Sequence, residues 1–281
     1  MARLTEPSVA TLHQDDARFA FGRNWNDFLG VLTEERINAS VQCLEAMLPR
    51  EHIEGASFLD VGSGSGLSSL AASRLGAARI HSFDYDPDSV ACTEALRRRF
   101  GPAGLPWTVE QGSALDADYL ATLGKWDIVY SWGVLHHTGA MWPAIERVMQ
   151  VVKPGGILFI SIYNDQGKIS DMWKAVKRLY NRGPLGRAAV LSVFIPYFAG
   201  RDLMSDVVRG KNPLARYRTY QRKRGMSIFY DWKDWLGGYP FEVATPDAII
   251  DFCRPRGFLL EKLATDGSLG CNEFVFRRTA A

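Results

Sequence analysis

Between residues 31 and 164, segments with helical hydrophobic spacing alternate with short, dense apolar segments. Apolar residues at helical spacing predict helices at 32–48, 67–75, 88–100 and 141–152. The dense apolar segments predict strands at 58–61, 78–84, 107–110, 126–131 and 157–162. Strands that alternate with helices in this way predict a parallel α/β sheet covered by helices on both faces. The sequence Lys-Pro-Gly-Gly at 153–156 predicts a sharp end of the helix at 141–152 before the fifth strand.

The alternation of strands and helices stops after Asn164. Residues 165–240 carry mostly helical patterns and many aromatic side chains, and strand patterns return only at 258–263 and 273–277. We therefore predict three parts: an N-terminal segment at 1–30, a doubly wound core at 31–164 and 241–281, and a helical insert at 165–240.

Composition adds few constraints to this division. A chain of 281 residues with 47% hydrophobic side chains is typical of one large globular domain with an insertion. Its four cysteines are scattered without a Cys-x-x-Cys pair, so neither a metal site nor a disulfide framework is expected. The N-terminus lacks a signal-peptide pattern, and the longest apolar segment is too short to span a bilayer. These observations favour a soluble, cytoplasmic protein.

Charge is distributed unevenly along the chain. Residues 165–240 contain 15 basic and 6 acidic residues, a net charge of +9 in a chain whose total is +2. One interpretation is a lid over an anionic or aromatic small molecule, in which some of the bases bind carboxylate or phosphate. A second is peripheral contact with anionic lipid through the apolar segment 191–195. A third, which we favour least, is an RNA-binding patch at 216–224.

The first predicted strand ends in a glycine-rich loop that contains an acid. Asp60 precedes Gly62, Gly64 and Gly66, which stand at alternate positions. Glycine tolerates positive φ and lets a ligand approach the backbone closely. A carboxylate at this place disfavours a pyrophosphate and favours a ligand with a cationic group. A dinucleotide-binding loop would also require a third glycine where Leu67 stands.

The spacing Asp60-x-Gly62-x-Gly64-x-Gly66 resembles the first motif of class I S-adenosylmethionine-dependent methyltransferases. Later motifs agree with that family in their order: Asp84 after the second strand, then 111–114, 134–137 and 153–156. The Leu-His-His within 134–137 is similar to ubiquinone- and menaquinone-type small-molecule methyltransferases. The resemblance implies a Rossmann-like, doubly wound, seven-stranded sheet, mostly parallel with an antiparallel last strand, and a helical lid between strands 5 and 6. It also implies S-adenosyl-L-methionine as the cofactor.

The resemblance further implies cofactor contacts. Asp60 would order the loop or meet the methionine ammonium through water, and Asp84 would bind the ribose hydroxyls. The remaining expected contacts come from the glycine loop to the methionine part, from residues beside the adenine, and from residues beside the sulfonium. In that order they are Gly62, Ser63 and Gly64; Tyr85, Ser113 and Ala114; and Ser131 and Trp132. Ser113 stands where the family usually has an aspartate, so backbone groups would have to replace that contact. Phe21 and Trp25 would either fold over the cofactor or hold the N-terminal segment against the core.

Methyl transfer from a sulfonium needs an aligned nucleophile and, for a weak one, a base. Histidine titrates near neutral pH, and His136 and His137 follow the fourth strand at the carboxyl edge of the sheet. His137 is the preferred catalytic base, and a capping or packing role is the alternative for either residue. Tyr163 and Asn164, at the end of the fifth strand, are expected to line the acceptor pocket.

The fourth strand continues into Ser-Trp-Gly-Val at 131–134 and lacks the Asn-Pro-Pro-Tyr motif. This difference argues against the amino-methylating nucleic-acid and glutamine families. We therefore predict a methyltransferase of a small-molecule acceptor, with O-methylation of an anionic, aromatic or hydrophobic hydroxyl compound as the leading expectation. The alternatives are a membrane-associated lipid or quinone acceptor and a non-catalytic cofactor-binding module. A homodimer is left open.

Overall fold

The computed structural model describes residues 32–210, 212, 232 and 235–280. Phe21, Trp25 and the segment 216–224 lie outside these residues, so the predictions made for them stay predictions.

A seven-stranded sheet forms the centre of the described structure. Its strands in chain order are β1 (Ser57–Val61), β2 (Arg79–Asp84), β3 (Trp107–Gln111), β4 (Trp126–Trp132), β5 (Val152–Tyr163), β6 (Phe258–Ala264) and β7 (Cys271–Arg278). Across the sheet they lie in the order β3-β2-β1-β4-β5-β7-β6. Strand β7 runs antiparallel to β5 and β6, and the pairs among β1 to β5 are parallel. The predicted fold class is confirmed.

Helices cover the sheet and build the insert. In chain order they are α1 (Glu34–Met47), α2 (Arg50–Ile53), α3 (Leu67–Arg74), α4 (Pro87–Phe100), α5 (Ala117–Thr122), α6 (Met141–Gln150), α7 (Lys168–Tyr180), α8 (Pro184–Val208) and α9 (Pro246–Cys253). Short 3-10 turns lie at Leu135–His137 and Arg254–Arg256. Among the described residues, no helix is long and apolar enough to cross a membrane.

Side-chain caps determine where several of these helices begin. Asp86 accepts a hydrogen bond from the Asp88 N–H at 2.9 Å, and Pro87 supplies the fixed φ of the first turn of α4. Asp116 accepts one from the Tyr119 N–H at 2.9 Å at the start of α5. The carboxyl ends of β2 and β3 therefore lead into defined loops, which bear candidate site residues.

The core has one hydrophobic cluster on each face of the sheet. Phe58, Ile128 and Phe159 pack with apolar residues of α1, α3 and α4. Leu59 follows Phe58 in the chain and Val129 follows Ile128, but both belong to the other cluster, which lies beneath α5, α6 and α9. Successive strand residues point to opposite faces, so dense apolar strands are what a sheet covered on both sides requires.

Helix α6 ends at Gln150, before residues 153–156, as predicted, but strand β5 begins at Val152 and not at the predicted Ile157. Val152 pairs with Trp126 and Ile157 pairs with Ile128, so residues 153–156 all stand opposite Asp127. Gly155 has φ +74°, and Lys153 bonds Asp127 at 2.7 Å. The segment is an irregular first part of the strand because this long-range ion pair holds it against β4.

The insert between β5 and β6 has a hydrophobic cluster of its own. Helices α7 and α8 pack against each other, with Trp173 of α7 and Phe198 of α8 at the contact. Phe241 also belongs to this cluster, and Tyr163 at the end of β5 packs against it. Tyr163 therefore joins the insert to the carboxyl edge of the sheet.

Candidate functional site

The glycine loop adopts a backbone conformation that other residues rarely take. Gly62, Gly64 and Gly66 have φ of +79°, +54° and +77°. A Cβ on Gly62 would lie 2.4 Å from a methyl carbon of Val134, and one on Gly66 would lie 2.8 Å from the Thr93 methyl carbon. The loop therefore needs glycine at Gly62 and Gly66 both for its φ and for the space around it.

Asp84 links the end of β2 to this loop. One carboxylate oxygen accepts the Gly64 N–H at 2.9 Å, and the other accepts the Asp86 N–H at 2.9 Å. Burial raises the pKa of Asp84, and the two backbone donors partly offset that rise. Each oxygen keeps a further lone pair, so the carboxylate can accept additional hydroxyl donors.

Asp60 lies inside the sheet beneath the loop. Its side chain is buried and accepts a hydrogen bond from the Ser69 hydroxyl at 2.6 Å. The chain of hydrogen bonds continues from Ser69 to Ser82 at 2.7 Å and from Ser82 to the Trp107 indole at 2.9 Å. Burial raises the pKa of Asp60 to about 7, and the nearby Asp84 adds to the rise. Asp60 thus connects the loop strand to α3 and β3.

The predicted adenine neighbours lie close to Asp84. The Gly112 N–H donates to the Asp84 carbonyl at 3.0 Å, and the Gln111 amide donates to the Tyr85 carbonyl at 3.0 Å. Tyr85 is exposed, whereas Ala114 is buried in the core. The Ser113 hydroxyl accepts the Leu115 N–H at 3.1 Å. An exposed aromatic ring and backbone edges thus flank the Asp84 carboxylate.

Ser131 and Trp132 differ in what they present to a ligand. Ser131 is fully buried, and its hydroxyl donates to the Val61 carbonyl at 2.9 Å, which joins β4 to β1. Trp132 is exposed, and its indole N–H donates to Glu273 at 2.7 Å. Only Trp132 of these two offers accessible side-chain surface, and the predicted proximity of both residues to a sulfonium stays a prediction.

The two histidines occupy the 3-10 turn after β4. The Nδ1 of His136 accepts the Tyr163 N–H at 3.3 Å, which leaves the proton on Nε2. That Nε2 is buried and has no hydrogen-bond partner among the residues the structure describes. For His137 the tautomer is the opposite one, because its Nδ1–H donates to the Pro240 carbonyl at 2.6 Å. The lone pair of His137 therefore resides on Nε2.

Both imidazoles are neutral at physiological pH. Burial lowers the pKa of His137 to about 4, and the positive charge of Lys177 contributes in the same direction. For His136, burial lowers the pKa well below its ordinary value, with His137 and Lys177 as further causes. A neutral imidazole whose Nδ1–H is fixed by a carbonyl is able to accept a proton at Nε2.

Lys177 is a buried residue of the site that the sequence did not single out. Its ammonium donates to the Trp235 carbonyl and lies 4.3 Å from the Trp235 ring centroid and 4.9 Å from that of Phe241. Burial lowers the pKa of Lys177 to about 7. Its position on the same face of α7 as Trp173 and Tyr180 was the available signal.

Tyr163 and Asn164, predicted as neighbours in the acceptor pocket, have different surroundings. The Tyr163 ring lies 4.1 Å from His136 and 5.6 Å from His137 between ring centroids. The Asn164 amide donates to the carbonyls of Asp266 and Ser268 at 3.1 and 3.2 Å and accepts from Asn272 at 3.1 Å. Tyr163 therefore joins the histidines, whereas Asn164 holds the turn that precedes β7.

The part of the chain that forms β1 to β5 matches a known protein family. Residues 59–160 match the family model described as a methyltransferase domain. These residues form a methyltransferase domain. The predicted membership in the class I S-adenosylmethionine-dependent methyltransferases is confirmed for this domain. Within the described residues, no cluster of three or more potential metal ligands accompanies it.

Curated relatives match parts of the chain. A ribosomal protein L11 methyltransferase of Trichlorobacter lovleyi is 36% identical over 93 residues, which cover 32% of this chain and 30% of the relative. A ubiquinone biosynthesis O-methyltransferase of Caulobacter vibrioides is 31% identical over 117 residues, 41% of this chain and 44% of the relative. The chain thus spans less than half the length of either relative.

Solved structures resemble the fold over most of the chain. Magnesium protoporphyrin IX methyltransferase from Synechocystis, with bound SAH, superposes with a TM-score of 0.52 at 12% identity, covering 92% of this chain and 86% of that one. An O-methyltransferase family protein from Burkholderia thailandensis gives a TM-score of 0.56 at 13% identity, and the superposition covers 92% of this chain and 60% of that one. At such identities the likeness concerns the fold.

Proposed function

We propose that this chain is an S-adenosylmethionine-dependent methyltransferase that acts on a hydroxyl group of a small-molecule acceptor. The observation that carries the proposal is the junction of Asp84 with the glycine loop at the carboxyl edge of the sheet. The strand order reverses at β1, with β2 and β3 on one side and β4 and β5 on the other. Doubly wound sheets bind ligands outside the carboxyl ends of strands at such a point.

The residues at this edge fit S-adenosylmethionine. Asp84 would accept the ribose hydroxyls with its remaining lone pairs, and the exposed Tyr85 ring would lie against the adenine. The backbone of Gly62 and Gly64, which have positive φ, would contact the methionine part. Asp60 would meet the cofactor's positive charge through water. When bound, the cofactor supplies a methyl group activated by its sulfonium.

His137 is the proposed base for the acceptor hydroxyl. Its Nε2 lone pair takes the proton, and its Nδ1–H is held by the Pro240 carbonyl, which also stabilises the imidazolium that results. Burial, which lowers the pKa of His137 to about 4, keeps the imidazole unprotonated at neutral pH and also makes it a weaker base than an exposed histidine. Tyr163 lies beside both histidines and would orient the acceptor. A base in such a position contributes roughly a hundredfold or more to the rate.

A membrane-associated lipid or quinone acceptor is the second candidate. A relative named for ubiquinone biosynthesis matches residues over 41% of the chain. The insert also presents apolar surface to solvent along α8. A relative named for methylation of a ribosomal protein matches 32% of this chain, a share similar to that of the ubiquinone-biosynthesis relative, so these names do not distinguish acceptors for this chain.

The test of the proposal begins with cofactor binding and proceeds to transfer. Calorimetric titration with S-adenosylhomocysteine should show saturable binding, and labelled S-adenosylmethionine should then be supplied with phenolic acids, hydroxyquinones and ribosomal protein. Transfer to a hydroxyl compound supports the proposal, and transfer only to protein contradicts its acceptor class. Binding without transfer to any of them would indicate a cofactor-binding module. Absence of binding would refute the proposal altogether.

The role of His137 is tested with the active acceptor. His137→Gln keeps a side-chain amide near Pro240 and removes the basic nitrogen. We expect kcat to fall at least about a hundredfold, with little change in the affinity for S-adenosylhomocysteine. Asn164→Ala serves as the comparison, because its amide holds a turn and should affect stability more than kcat. Full kcat in His137→Gln would show that transfer proceeds by alignment alone.

A further inference from the structure

Helix α8 presents a long apolar face to solvent. Val193, Tyr197, Met204, Val207 and Val208 recur at helical spacing and are exposed; we call these five residues the α8 stripe. Met204 is 65% exposed and Val208 is 82% exposed. Exposed single apolar residues are ordinary, but a row of five along one helix face marks an interaction surface.

The part of α8 next to the stripe is already occupied by the insert cluster. Val190 and Phe198 are buried in the insert cluster, and Phe194 and Ile195 pack against it. Within the segment 191–195, predicted to contact lipid, Leu191, Phe194 and Ile195 therefore face the protein, and the apolar surface that solvent reaches is mainly the stripe. The stripe is thus not the core-facing side of an amphipathic helix but a second apolar face.

The acids of α8 are buried, and its bases are exposed. Asp202 and Asp206 are the buried acids. Arg201 lies over the Phe198 ring and pairs with Asp202 at 3.0 Å, and Arg187, N-terminal to the stripe, lies over the Tyr180 ring of α7. Between Arg187 and Arg201 the helix has no charged residue. The surface that α8 offers to solvent is therefore apolar, with arginines as its exposed charged side chains.

We propose that the α8 stripe docks on the surface of an anionic lipid bilayer, with α8 lying in the plane of the interface. An apolar helix face with exposed arginines is the pattern that binds at the boundary of headgroups and acyl chains. The arginines would meet lipid phosphates while the stripe enters the apolar boundary. A second copy of the chain fits less well, because a symmetric contact would bring further arginines and no acids to the same surface.

Vesicle flotation tests the docking surface on the full chain. We expect the wild type to float with vesicles of phosphatidylcholine containing phosphatidylglycerol and to float less with phosphatidylcholine alone. Val193→Ser/Tyr197→Ser/Met204→Ser should lower the partition coefficient at least about tenfold, because the apolar surface that enters the bilayer is lost. Arg187→Gln/Arg201→Gln should remove the preference for the anionic vesicles.

The matched control is Leu259→Ser/Leu260→Ser/Leu263→Ser, which removes three exposed leucines from the edge strand β6. This variant should float as the wild type does, and all variants should keep the wild-type far-UV spectrum. The proposal is overturned if the wild type does not float, or if the α8 and β6 variants lose flotation equally. It is also overturned if the α8 substitutions leave flotation unchanged and only dissociate a dimer in sedimentation.

Discussion

The two sides of the proposed active site are built in different ways. On the cofactor side, residues 57–84 create the site with backbone: three glycines at positive φ and a carboxylate that accepts the N–H of one of them. On the acceptor side, α7 and residues 235–241 create it with side chains: aromatic rings around a buried lysine, the buried His136 and the half-buried His137.

This difference predicts different sensitivities. A site formed by backbone loses its binding capacity when a substituted side chain has no space, whatever the polarity of that side chain. A side-chain site in a low-dielectric interior responds instead to the protonation of its members, because each charge there is costly unless paired. The cofactor side should therefore be sensitive mainly to substitution of glycine, and the acceptor side mainly to pH.

Gly62→Val should have the largest effect. The new Cβ would lie 2.4 Å from a methyl carbon of Val134, and the valine would have a φ of +79°. Backbone strain and overpacking would therefore both lower the stability. We expect a loss of roughly 3 to 5 kcal/mol in the free energy of unfolding, measured by urea denaturation, together with loss of S-adenosylhomocysteine binding.

The matched control for this substitution is Gly104→Val, at φ +82° with no atom within 4 Å of the new Cβ. It should cost about 1 to 2 kcal/mol from backbone strain alone. Equal losses at the two glycines would show that the loop next to Val134 has no special packing and would remove the basis of the comparison.

Lys177 tests the acceptor side through pH. Its folded pKa of about 7 lies below the ordinary value of 10.5, so between these values the unfolded chain binds more protons than the folded one. The free energy of unfolding should therefore rise with pH across this window, and the penalty of burying a charge is fully present below pH 7. Relative to Lys177→Met, we expect the wild type to gain roughly 4 kcal/mol over that range.

The measurement is urea denaturation of both proteins at several pH values. Because the cysteines and tyrosines titrate in both chains, the difference between the two isolates Lys177. An unchanged difference from pH 7 to 10 would mean that the Lys177 ammonium is not held in the aromatic cluster.

Asp60 should have a smaller effect with the opposite sign. Its folded pKa of about 7 lies above the ordinary 3.8, so the folded chain binds more protons between these values. The contribution of Asp60 to stability is present at low pH and is lost as pH rises towards 7. Compared with Asp60→Asn, the wild type should lose roughly 3 kcal/mol between pH 4 and 7.

Chemical denaturation over this range checks the sign. The buried histidines titrate in the same window in both proteins, so only the difference between wild type and variant bears on Asp60. A difference that grows with pH in favour of the wild type would mean that Asp60 is ionised and stabilised inside the sheet.

The cofactor side could be predicted from sequence because its signals are local. The glycines, Asp60 and Asp84 lie within 25 residues, and their chemistry depends on backbone conformations that residue type largely determines. The irregular start of β5 escaped prediction because it depends on the pairing of Lys153 with Asp127 in another strand.

The acceptor side depends on packing between distant segments. Lys177 is one of many bases in the insert, and its burial follows from contacts with Trp235 and Phe241, about sixty residues later. Asn164 follows β5, and the turn that it binds comes about a hundred residues further along the chain. No periodicity within a short window encodes such pairings.

The most direct test of the central claim is the affinity for S-adenosylhomocysteine, measured by calorimetry on the wild type, Asp84→Asn and Lys177→Met. The Asp84→Asn side chain would keep one oxygen to accept the Gly64 N–H but would lose the carboxylate proposed to accept both ribose hydroxyls. We expect binding by the wild type, at least about tenfold weaker binding by Asp84→Asn, and unchanged binding by Lys177→Met. No binding by the wild type, or equal affinity in Asp84→Asn, would contradict the claim.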